Sequence, residues 1–127
     1  MKKAWLAKFS WQFVTNLNAQ LCESGEAFHG PTSDGHDEGE TLWDTTHAQE
    51  LSIHEAIELC RRCHKIAPFC FFNGNTFAAI IKLALQSAPI SDFREKYIFV
   101  SVAAHIVAGT STPEEDIQFK KLLEKIT

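Results

Sequence analysis

From Phe9 to Cys60 the chain has neither a lysine nor an arginine. Ten carboxylates fall in that stretch: Glu23, Glu26, Asp34, Asp37, Glu38, Glu40, Asp44, Glu50, Glu55 and Glu58. Four of the six histidines, His29, His36, His47 and His54, lie there too. The formal net charge of the whole chain is only −4, so charge is segregated: the remainder holds all twelve Lys and Arg against six carboxylates. An acidic surface without counter-charges repels nucleic acid and attracts basic partners or cations.

Long apolar runs are also missing. The longest, Tyr97 to Ala108, is broken by Ser101 and His105, whereas a membrane-spanning helix needs about 20 apolar residues. Met1 is the only methionine, which removes a methionine axial ligand from any haem reading. The opening Met1-Lys2-Lys3 imitates the start of a signal peptide. Lys8, Gln12 and Asn16 then interrupt the apolar stretch such a peptide requires, and no small-residue cleavage site follows. The expectation is a cytoplasmic protein. Cys22, Cys60, Cys63 and Cys70 would then be reduced thiols or metal ligands rather than a disulfide framework.

What is present fits one globular domain. Hydrophobic residues make up 45 % of the 127 positions and aromatics 11 %, enough for a core. Trp5, Phe9, Phe13 and Leu17 recur every four residues, which predicts a helix from Lys2 to Cys22. Residues 24–50 read as a long acidic loop, because Gly25, Gly30, Pro31, Ser33, Gly35 and Gly39 crowd into it. Phe28, Leu42 and Trp43 would pin parts of that loop.

Ser52 with Glu55 forms a capping box for a second helix, which Pro68 ends. A third, from Thr76 to Gln86, has Lys82 as its only charge and should be the buried centre. Ser91 can cap a fourth that ends at Gly109, although its middle, Tyr97 to Val102, has strand-like composition. Thr112-Pro113-Glu114-Glu115 opens a last helix. The fold class is therefore all-α: a single domain of about five helices around a buried one.

Two constellations could carry chemistry. Cys60-Arg61-Arg62-Cys63-His64 spells the C-x-x-C-H of covalent haem attachment, which needs an exported, oxidising context. With Cys70 it also offers the ligand types of tetrahedral zinc, but in one pair where zinc sites use two. Otherwise the cysteines are small core fillers. The second constellation, His29, Asp34, His36, Asp37 and His47, could hold a borderline metal or be a solvated acidic loop. His105 sits on an apolar face and reads as a hydrogen-bonded core histidine. Trp11 falls off the core stripe, so it is a packed rim residue or a contact with another chain.

These features point first to a non-enzymatic module that occupies a basic surface on a protein partner, as inhibitors and immunity-type proteins do, without touching nucleic acid or membrane. The partner-binding residues would be Glu23, Glu26, Asp34, Asp37, Glu38, Glu40 and Asp44, with Phe28 and Trp43 as apolar anchors. That reading needs no cofactor. The alternative is a zinc-binding protein using Cys60, Cys63, His64 and Cys70. A third reading is a small helical enzyme using the loop histidines, although no nucleophile, base and oxyanion donor are grouped in the sequence. The apolar helices suit a homodimer as well as a monomer.

Overall fold

The computed structural model describes residues 1–127. Six helices follow one another: α1 (Trp11–Ser24), α2 (His36–Thr46), α3 (Ile53–Ile66), α4 (Asn73–Leu85), α5 (Phe93–Ala108) and α6 (Pro113–Ile126). Two short strands, β1 (Lys2–Lys3) and β2 (Leu51–Ser52), pair antiparallel, with Lys2 opposite Ser52 and Lys3 opposite Leu51.

α4 lies at the centre and packs on α1, α3 and α5. Its Phe77, Ile80, Ile81 and Leu85 are wholly buried, as the near absence of charge along it requires. Its entry differs from the sequence expectation. Phe72, at φ 60°, precedes the first turn and provides no side-chain cap. The Asn73 side chain instead grips Phe69, accepting from its N–H at 3.0 Å and donating to its carbonyl at 2.7 Å.

Side-chain caps start α1, α3, α5 and α6, whereas α2 has none. Ser52 and Glu55 form the reciprocal box that starts α3, and Thr112 and Glu115 form the one that starts α6. Asp92, not Ser91, caps α5. The strand-like middle of α5 is helical because Phe99, Val100 and Val102 are buried there, and packing overrides local preference.

Two expectations are corrected. The N-terminal helix begins at Trp11, after the Ser10 cap, and not at Lys2. Trp5, Leu6 and Phe9 are still buried, but on an irregular segment tied down by β1. Four-residue spacing alone did not distinguish that segment from a helical turn.

The second correction concerns residues 24–50, which are not one long loop: α2 occupies their middle. The glycines serve close approach, not flexibility. A Cβ on Gly35 would lie 2.3 Å from the Ile66 carbonyl oxygen, and one on Gly39 would lie 3.0 Å from Pro68 Cβ. α2 therefore sits directly against the end of α3, with Trp43 completely buried beneath it.

Candidate functional site

The seven carboxylates expected to bind a partner fall in three places. Glu23 and Glu26 are exposed around the end of α1, Asp34 is exposed in the turn before α2, and Asp37, Glu38, Glu40 and Asp44 belong to α2 itself. Asp37 and Asp44, seven residues apart, nearly eclipse one another on a helix, with Glu38, Thr41 and Thr45 within the same third of its circumference. These five are exposed. Glu40 lies to the side and is partly buried. Between this face and α3 is a shallow depression of about 510 Å³, floored by Leu42 and Ile66 and edged by Asp37, Glu38 and Arg62.

None of the seven carboxylates forms an ion pair with a lysine or arginine; across the molecule only Lys2–Glu55 and Lys125–Glu95 do. The face is thus electrostatically unspent. Asp37 and Glu38 in the first turn of α2 also complement the helix dipole. That explains how a helix with a glycine cap, Gly39 inside it and neither lysine nor arginine tolerates such charge.

The two proposed anchors separate. Phe28 is 69 % exposed. Trp43 is not available to a partner: its indole N–H donates to the Phe9 carbonyl at 2.8 Å and its ring stacks on His47 at 5.5 Å. It fastens α2 to the core instead. Trp11 is buried as well, stacked on Phe69 at 5.6 Å.

The Cys/His constellation is dispersed. Cys60 and Cys63 are wholly buried in the core. Burial pushes the Cys60 thiol well above its ordinary range. It pushes that of Cys63 up to about 12, against the opposing pull of Arg62. His64 turns its Nδ1 to the Val107 carbonyl at 2.9 Å. Cys70 is exposed, its thiol 3.7 Å from the Pro31 carbonyl oxygen. These four do not form a common ligand set.

One triad of potential ligands does converge: His36, Asp37 and Glu40, whose ligand atoms all lie within 4.8 Å of one another. Its Nδ1 is 3.5 Å from Asp37 and 3.9 Å from Glu40. The ligand types suit a borderline divalent metal. The location at a helix N-terminus opposes a cation, and the Asp37 side chain is fully solvated. The other loop histidines are engaged elsewhere. His29 meets the buried Asn18 Oδ1 at 2.8 Å, and His47 bonds the Trp43 carbonyl at 2.8 Å. Asn18, which sequence reasoning passed over, also donates to the Phe71 carbonyl and Thr76 Oγ1. It stitches α1 to α4 and the segment before it.

The largest cleft, about 660 Å³, lies between α3, α4 and α5, with His64 and His105 on its walls and Gly74 and Asn75 at its edge. His105 is exposed, not a core histidine, and its Nδ1 pairs with Glu115 at 2.7 Å. Glu115 is held below the usual carboxylate range first by the Thr112 backbone N–H and then by His105. The cleft is lined by neither a thiol nor a carboxylate, and its one hydroxyl is Thr110. Thr110 Oγ1 donates to the His105 carbonyl at 3.5 Å, not to an imidazole nitrogen, so the hydroxyl and the histidines do not form a nucleophile–base pair.

No family model, curated protein or solved structure matches the chain. No helix is long and apolar enough to cross a membrane.

Proposed function

We propose that this chain is a small acidic protein-binding module that masks a basic surface on a protein partner, in the manner of an inhibitor or immunity-type protein. One observation carries the reading: Asp37, Glu38 and Asp44 stand on the exposed face of α2 with no lysine or arginine paired to them. Carboxylates presented on a helix locked by Trp43 need little ordering on binding, so the entropic cost of association falls. They also steer a basic partner during encounter. Glu23, Glu26, Asp34 and Glu40 extend the field. Phe28 supplies an apolar contact at the rim.

The test is the affinity for the captured partner of wild type against an Asp37→Asn, Glu38→Gln, Asp44→Lys variant, at several salt concentrations. The variant should bind at least about tenfold more weakly, with a flatter salt dependence. Equal affinity and equal salt dependence would reject the reading.

A further inference from the structure

Phe93 and Tyr97 are 83 % and 69 % exposed and lie one turn apart on α5. The core does not need them there, since α5 buries Phe99, Val100, Val102 and Val107 elsewhere along its length. Beside the two rings is a depression of about 230 Å³ with Lys82, Gln86 and Lys96 on its walls and no carboxylate. The nearest carboxylates in sequence are committed: Asp92 caps α5, and Glu95 pairs with Lys125 at 2.7 Å. Neither Lys82 nor Lys96 has an ion-pair partner. The patch is an aromatic knob with a positive rim.

Elsewhere the same molecule carries its counterpart. The depression beside α2 has an apolar floor, Leu42 and Ile66, and an acidic rim, Asp37 and Glu38. α2 packs on α1 and α3, whereas α5 packs on α3, α4 and α6. Neither face covers the other. We infer that the Phe93–Tyr97 face receives the α2 face of a second copy of this chain, head to tail.

The occupant follows from charge. Pairing the α5 patch with itself would set lysines against lysines, and pairing α2 with itself would set carboxylates against carboxylates. Only the unlike faces match. Arg62, the one cation beside α2, would lie against aromatic rings, which attract a guanidinium. Because the two faces differ, the contact is heterologous, and a pair of copies keeps one free face of each kind, the α2 face on one copy and the α5 face on the other. This inference rests on α2 being a docking face, and makes the chain itself one of the basic partners that face accepts.

The test is sedimentation velocity on the full chain and two variants. One variant removes the acidic face (Glu38→Gln, Asp44→Lys). The other removes the aromatic face (Phe93→Ala, Lys96→Glu). Glu38, Asp44 and Phe93 are exposed and Lys96 is half-buried, and circular dichroism checks each fold. At low salt the wild type should grow in mass with concentration up to about 0.5 mM, the range of weak specific contacts, and return to monomer at high salt. Each variant alone should stay monomeric. Their equimolar mixture should stop at a dimer, because each retains only one working face.

A wild type that is monomeric throughout, a variant that assembles alone, or a mixture that stays monomeric would overturn the inference. So would a single-stranded oligonucleotide that binds the wild type, and not the Phe93→Ala, Lys96→Glu variant, in the absence of self-association. The aromatic-face variant should keep full affinity for a foreign partner of α2. Failure of self-association is thereby separated from failure of the proposed function.

Discussion

Replacing Gly35 by alanine tests whether α2 is a docked helix or the flexible acidic segment its glycines suggest. An added Cβ would lie 2.3 Å from the Ile66 carbonyl oxygen and 2.6 Å from that of Ala67. Both are backbone atoms at the end of α3, so no side chain can swing aside. Thr32 holds the same junction, donating to the Ala67 carbonyl at 2.7 Å and accepting from the Gly35 N–H at 3.2 Å. Relief requires α2 to shift by about 1 Å, and overpacking of this kind costs about 1–3 kcal/mol. Against it stands a gain of about 0.4–1 kcal/mol, because alanine has fewer unfolded conformations to lose. The net should be about 1–2 kcal/mol of lost stability in urea, or a melting temperature lower by about 4–8 °C for a chain of this size. A flexible loop would feel only the second effect. A Gly35→Ala protein as stable as wild type or more so would refute the docked helix.

Three further outcomes are expected. Trp43→Ala should cost about 3–5 kcal/mol, since it empties a fully buried site and orphans the Phe9 carbonyl; a loss below about 1 kcal/mol in urea melts would contradict that placement. In native protein at mild alkaline pH, Ellman's reagent should titrate Cys70 rapidly and leave the buried Cys22, Cys60 and Cys63 until urea is added; rapid native reaction of Cys63 would be inconsistent with its raised pKa. Because Glu115 has a lowered pKa when folded, its ionisation stabilises the protein above the unfolded carboxylate pKa, and that contribution is lost as pH falls through the folded value. The stability gap between wild type and Glu115→Gln should therefore shrink on acidification from about pH 5; a pH-independent gap would count against the assignment.

Local chemistry made much of the fold legible. The capping boxes at Ser52 and Thr112, and the nearly uncharged run around Ile80, state their roles in a few adjacent residues. α2 was hidden because a glycine placed for close approach is spelled like a glycine placed for flexibility. What separates them is the carbonyl of Ile66, thirty-one residues away. Trp43 reads as an anchor, but sequence does not say to which side it anchors. The C-x-x-C-H pattern is ambiguous for a related reason. Neighbouring ligand types on a capped helix say nothing about burial, and Cys60 and Cys63 face the core. The Phe93–Tyr97 pair was within reach, since two aromatics one turn apart among Arg94, Glu95 and Lys96 mark a solvent-facing stripe.

The most direct test of the acidic docking face is capture of partner from native extract on immobilised protein at low and high salt, wild type beside the Asp37→Asn, Glu38→Gln, Asp44→Lys variant. The account predicts a basic protein held by wild type at low salt, released at high salt and absent from the variant. A partner retained equally by both proteins, or held regardless of salt, would contradict it.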